Sequence, residues 1–111
     1  MEKIAKYRTA IEKILTDIAS LEYSIPGIKH ILVKDADRDH YLVIRVGWFK
    51  EENLYSIIAH IDIINEKVWI YVSNIDQNLE EDLIEEGVSK EDIIFGGISP
   101  SQREVLGYQV S

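Results

Sequence analysis

The chain has 111 residues, of which 46% are hydrophobic and 29% charged, and its formal charge is −8. This balance predicts one globular domain over residues 1–111 and excludes a fibrous or disordered chain. Without cysteine there is no disulfide, thiol nucleophile or thiolate metal site, and no apolar run approaches the ~20 residues that span a membrane. We therefore expect a soluble, cytoplasmic protein.

The first segment is typical of an amphipathic helix. Apolar residues recur at steps of three and four from Ile4 to Leu21, and this spacing gathers them on one side. Pro26 and Gly27 form the first strong stop signal. The helix is therefore expected to end between residues 20 and 23.

Four strands are predicted to follow, at residues 28–34, 40–48, 54–63 and 68–73. Alternation in the second places Leu42, Ile44, Val46 and Trp48 on one face. The connections are short, with a hairpin loop expected at residues 65–67. Because parallel neighbours need a long crossover, these connections favour an antiparallel meander.

An acidic segment, with eight acids and one lysine between residues 76 and 92, predicts a second, shorter helix. Its expected buried stripe is Leu79, Leu83 and Ile84, with Asp76 or Asn78 as cap and Gly87 as the terminating residue. Ser89 begins a spacing that resembles a capping box, and residues 93–95 are expected to add a strand or a buried loop. Residues 96–110 predict no definite element. The fold class is α+β: an N-terminal helix, an antiparallel meander of four to five strands and a short acidic helix.

A polar cluster is the first candidate site. Two histidines with neighbouring carboxylates would suffice to hold a divalent metal, but their spacing matches no metal signature. A flat strand at Ser56 also lacks the sharp turn that a nucleophilic serine needs. We predict no metal, no cofactor and no catalytic residue here, and a polar turn before the second strand whose Arg38 or Asp39 bonds backbone groups. A metal-dependent enzyme stays open as the alternative. The cluster comprises Asp37, Arg38, Asp39, His40, His60 and Asp62.

A partner-binding surface is the second candidate site. Aromatic strands can stack unpaired bases, but only beside a basic groove, which this sequence lacks, so direct nucleic-acid binding is not expected. Aromatic anchors and an acidic helix suit a protein partner instead. Exposed strand edges are also compatible with a homodimer. The surface comprises Trp48, Trp69, Tyr71, Glu80, Glu81, Glu85 and Glu86.

Several short motifs resemble the XisI family, which is named for a factor controlling excision of a DNA element from cyanobacterial genomes. They are Tyr7-Arg8, Asp-Arg-Asp-His-Tyr at 37–41, Val-Gly-Trp at 46–48, His-Ile-Asp-Ile at 60–63, Trp69, and Gly-Val-x-Lys-Glu-Asp-Ile at 87–93. The resemblance covers nearly the whole chain. It implies an accessory or regulatory protein without catalysis of its own, acting through a XisH-like, nuclease-related partner. The alternative it leaves is a nuclease subunit that uses the His/Asp cluster.

Overall fold

The predicted α+β class is confirmed by the computed structural model, which describes residues 2–110. Helix α1 spans Glu2–Ala19, so it ends just before the range of residues 20–23 predicted for its end. The tail without a predicted element contains a short helix. The elements are α1 (Glu2–Ala19), β1 (Lys29–Asp35), β2 (His40–Phe49), β3 (Glu52–Ile64), β4 (Lys67–Ser73), α2 (Leu79–Glu85), a 3-10 turn (Lys90–Asp92), β5 (Ile93–Phe95) and α3 (Pro100–Val105).

The strands form one sheet in the order β1-β2-β3-β4-β5. The first four are antiparallel, as predicted, and the turn between β3 and β4 has positive φ at Asn65 and Glu66, as in a tight hairpin. The fifth strand differs from an antiparallel meander, because β5 runs parallel to β4. Residues 74–92, which include α2, supply the crossover that a parallel pair requires.

One face of the sheet, here called the inner face, is covered by α1. The helix buries the stripe that the sequence predicts up to Ile18, whereas Leu21 lies beyond the helix and is 55% exposed. Opposite the stripe, alternate strand residues point inward because side chains of a strand alternate between faces. These inward residues are Tyr41, Val43, Ala59, Ile61, Val68 and Ile70.

Helix α2 closes the core on the same inner side. Asn78 is its cap and accepts a hydrogen bond from the Glu81 amide at 3.1 Å. Gly87 ends the helix with φ of +104°, a conformation that favours glycine. Leu79 and Leu83 are buried as predicted, but Ile84 is 39% exposed.

The Ser89 capping box is not formed. Ser89 precedes the 3-10 turn without a side-chain hydrogen bond to it. The Asp92 carboxylate instead accepts from the Tyr7 hydroxyl at 2.5 Å and pairs with Lys3 at 2.9 Å. The acid at this position therefore fastens α1 to the end of the crossover rather than capping a turn.

The other face of the sheet, here called the open face, carries α3 against β4. Asp62 pairs with His40 on β2 and with Trp69 on β4, so these residues share this face. The guanidinium of Arg103 in α3 lies 5.4 Å from the centre of the Trp69 ring. The β1–β2 half of the open face carries no helix in the part of the chain that the structure describes.

Candidate functional site

The polar cluster is assembled around one carboxylate on the open face. Nδ1 of His40 and Nε2 of His60 each lie 3.0 Å from Oδ1 of Asp62. Register explains the convergence, since His40 pairs with Asp62 across β2 and β3, and His60 is two residues away on the same strand. The His60 contact is a hydrogen bond, in which a carboxylate oxygen accepts and the ring nitrogen donates, and His40 lies at ion-pair distance. Asp62 is just 6% exposed.

Aromatic rings continue the cluster towards β5. The Tyr71 ring lies 5.1 Å from the His60 ring and stacks at 6.2 Å on Trp69. Burial, together with the nearby Asp62 charge, raises the pKa of Tyr71 above its usual value, and Arg103 opposes this. Gly96 makes room for the stack, because a Cβ there would lie 2.6 Å from the Tyr71 ring.

Arg103, which sequence analysis did not single out, holds the C-terminal residues onto this stack. The residue is 5% exposed, and its guanidinium donates to the carbonyls of Phe95 at 3.1 Å, Ile98 at 2.7 Å and Val110 at 2.9 Å. The sequence gives no signal for this role of Arg103, because its partners are backbone carbonyls, which no side-chain pattern marks. Among residues 2–110, its hydrogen-bond acceptors are backbone carbonyls, and through them it clamps these segments together.

The acidic half of the predicted cluster has a different role. Residues 36–39 form the predicted polar turn, but the backbone amides of Asp37 and Arg38 bond to Oδ1 of Asp35, each at 3.1 Å. Arg38 is solvent-exposed. Asp39 turns away from the histidines, and its backbone φ of +60° is the left-handed one that Asp tolerates. The structure thus brings three of the six predicted residues together.

Asp39 ties the turn to α1. Arg8 donates to both of its carboxylate oxygens, at 2.7 and 3.0 Å, and the buried Tyr41 hydroxyl donates to Oδ1 at 3.0 Å. The Arg8 hydrogen bond lowers the pKa of Asp39, with a smaller contribution from Tyr41. Burial and the hydrogen bond to Asp39 raise the pKa of Tyr41 above its usual range, and the Arg8 charge opposes this. These residues therefore hold the fold and are not free for chemistry.

The predicted partner surface is split between the two faces of the sheet. Trp69 and Tyr71 lie on the open face, and Trp48 is 64% exposed at the far end of β2. The acids lie on and just after α2, whose Leu79 and Leu83 belong to the inner core. Glu86 is partly neutralised by Lys13, 2.9 Å away. The predicted acidic residues and aromatic anchors therefore do not form one continuous surface.

An apolar patch of the open face escaped the sequence analysis as a site. Cross-strand register places it on β1 and β2, since Ile31 pairs with Ile44 and Val33 with Leu42. Ile31 and Val33 are 38% and 45% exposed, which is high for β-branched residues in a sheet. The alternation of β2 was visible in the sequence, but which of its faces α1 covers was not. The open-face patch is defined as Ile31, Val33, Leu42, Ile44 and Val46.

A groove of about 420 Å³ at the end of α1 contains another arginine. The Arg45 guanidinium carbon lies 4.1 Å from the Tyr23 ring centre, and its Nε donates to Nε2 of His30 at 3.1 Å. Because Nε2 accepts, Nδ1 of His30 carries the proton and donates to the Leu21 carbonyl at 2.8 Å. These contacts fix the loop after α1 against β2.

Among residues 2–110, no group of three or more His, Asp or Glu side chains is arranged to hold a metal ion. The two histidines of the polar cluster both contact the same carboxylate oxygen, Oδ1 of Asp62. No helix in the same range is long and apolar enough to cross a membrane.

The fold and site define a small α+β protein with a polar cluster centred on Asp62 and a sheet face that α3 covers only in part. The chain matches the profile of the family described as XisI protein over residues 1–110, and it belongs to that family. A crystal structure of a XisI-like protein from Anabaena variabilis is similar, with 33% identity, a TM-score of 0.89, and coverage of 97% of this chain and 99% of that one. The fdxN element excision controlling factor XisI of the same organism is 28% identical, with a TM-score of 0.84 and coverage of 98% and 99%. A comparison with curated proteins gives no match.

Proposed function

We propose that this protein is a non-catalytic accessory factor in the excision of a DNA element, and that it acts by binding a partner protein. The similar Anabaena protein is an excision controlling factor of a DNA element, which supports a role in this process. The main observation behind this mode of action is the open-face patch, in which Ile31 and Val33 of β1 are exposed beside half-buried apolar residues of β2. Contiguous exposed apolar surface with a polar surround is typical of protein-binding sites.

The proposed occupant of the open-face patch is a XisH-like protein, the partner that the family resemblance implies. A partner that handles DNA needs basic surface, and a chain with a charge of −8 attracts such a surface over long range. Apolar contact at the patch then supplies the affinity, whereas the exposed acids of α2 steer the approach. Glu81 and Glu85 are the exposed acids that would do so.

The test is co-purification of the XisH-like protein with two matched charge variants. Ile31→Lys/Val33→Lys alters the open-face patch, and Glu81→Lys/Glu85→Lys alters α2 on the other side of the sheet. We expect the first pair to abolish binding and the second to slow association with a weaker salt dependence. Loss of binding with the α2 pair alone would move the docking site to α2. Absence of binding by the wild-type protein would refute the proposal.

A second candidate function, a metal-dependent enzyme or nuclease subunit, draws on the convergence of two histidines on Asp62. Metal analysis of the purified protein and nuclease assays with divalent ions test it. The enzyme is favoured if metal content or cleavage is lost in His60→Ala while the fold survives. Asp39→Ala serves as a control, because Asp39 binds Arg8 and not the histidines.

A further inference from the structure

The end of the β2–β3 hairpin, here called the arm (residues 44–57), is not joined by β4, and β1 pairs only with its residues 44–46. Strand β4 pairs with β3 only from Ala59 onward, and the last backbone contact on that side is Asn74 N to Ile58 O at 2.8 Å. Residues 52–57 therefore pair with β2 on one side and, within residues 2–110, with no strand on the other. Their outer N–H and C=O groups form an open strand edge.

This edge is both apolar and exposed. Tyr55 is 67% exposed and Ile57 37%, and the arm also carries exposed Trp48. The edge at residues 55–57 belongs to a three-stranded part of the sheet, β1-β2-β3, and an unpaired strand edge is a template for another strand. Edges that stay unpaired usually carry charges or proline, and residues 53–57 have neither.

We propose that this edge pairs antiparallel with the same edge of a second copy of the chain. The charge pattern favours a second copy, because residues 53–57 are the uncharged part of the arm in a protein of charge −8. Two acidic copies can meet along them without placing like charges opposite each other. The dimer does not depend on the proposed partner binding, which uses β1 and β2.

Symmetry fixes the possible registers. Residues directly opposite each other in an antiparallel pair point to the same face of the sheet. In a symmetric dimer the twofold axis therefore runs next to one residue, and this residue lies opposite the same residue of the second copy. With Tyr55 on the axis, Asn53 faces Ile57 of the second copy, and Leu54 faces Ser56. This register gives an aromatic cross-strand pair and no charged pair over residues 53–57.

Cysteine cross-linking tests the register, since the chain has no cysteine of its own. In Tyr55→Cys the two thiols face each other at the ~4.5–5.5 Å Cα separation of directly opposed residues, which suits a disulfide. We expect a covalent dimer on mild oxidation. Asn53→Cys and Ile57→Cys should each stay uncross-linked alone but form a mixed dimer when combined. Cross-linking of either single variant with none for Tyr55→Cys would overturn the register.

Association in solution tests the dimer itself. Sedimentation over a concentration series should show a species of twice the 12.8 kDa chain mass. Tyr55→Lys places like charges opposite each other and should weaken the dimer by about tenfold or more, whereas Tyr55→Phe should retain it. Tyr55 is exposed, so both variants are expected to fold, and circular dichroism checks this. A wild-type monomer at all concentrations, or a dimer unchanged in Tyr55→Lys, would overturn the proposal.

Discussion

Replacing Tyr7 by phenylalanine tests whether the helix is fastened to the crossover by one buried hydroxyl. Tyr7 is 2% exposed, and its hydroxyl donates to Oδ2 of Asp92 at 2.5 Å and accepts from the Ser89 amide at 3.3 Å. The variant keeps the ring in place, so it creates almost no cavity. What it removes is a hydrogen bond to a charged group in a shielded position.

The expected loss in the free energy of unfolding follows from this one hydrogen bond. A hydrogen bond to an ionised group contributes about 1.5–3 kcal/mol net, and Lys3 still pairs with Asp92, so we expect a loss of ~2 kcal/mol. For a domain of this size that corresponds to a fall in Tm of about 8 °C. Urea denaturation should show a lower midpoint with an unchanged m-value.

Tyr108→Phe is the matched control, because that residue is 41% exposed and its ring contacts Phe95. It should change the free energy of unfolding by less than ~0.5 kcal/mol. If Tyr7→Phe and Tyr108→Phe cost the same, the hydroxyl of Tyr7 does not fasten the helix and the reasoning fails.

Acid provides a second measurement on Tyr7→Phe. Burial raises the pKa of Asp92, but hydrogen bonds from Tyr7 and Lys3 outweigh it and hold the pKa below the usual 3.8. A depressed carboxyl pKa stabilises the fold above the unfolded-state pKa, and this stabilisation is lost as the pH falls through the folded-state value. The difference in stability between wild type and variant should therefore shrink below pH 3.8.

Three further predictions concern the core, the turn and the aromatic stack. Leu15→Ala at a fully buried position should cost about 2–5 kcal/mol in urea denaturation, since it leaves a cavity. Asp39→Asn should lower Tm most at neutral pH, with the difference closing as the pH falls through the lowered pKa of Asp39 in thermal melts. Gly96→Ala should cost about 1–3 kcal/mol and perturb Trp69 fluorescence, because its methyl group would displace the Tyr71 ring.

Periodicity predicted most of the fold because it reflects which residues are buried. The stripe of α1 and the alternation of the strands could be read directly, and the short loops implied antiparallel neighbours. The direction of β5 could not be read from three apolar residues, since that depends on where the crossover docks. Likewise, Ile84 has the spacing of a buried residue, but the short α2 has only one side against the core.

The candidate site was predicted in part for a similar reason. His60 and Asp62 share a face by strand alternation alone, but the approach of His40 depends on the β2–β3 register. Asp39 sits beside His40 in sequence and yet bonds to Arg8, because its left-handed backbone redirects the side chain. Sequence proximity therefore overstated the size of the polar cluster.

The motifs that carry the family resemblance separate into two physical groups. Tyr7 is hydrogen-bonded to Asp92 and Arg8 to Asp39, so these two pairs have a role in holding α1 to the rest of the fold. His40 differs, because its side chain is 53% exposed while its ring is held by the buried Asp62. A partner on the open-face patch would meet this ring at the patch border, since His40 pairs with Asp35 at the end of β1. His40 therefore joins Arg38 and Trp48 as a motif residue with an exposed side chain that a partner could contact.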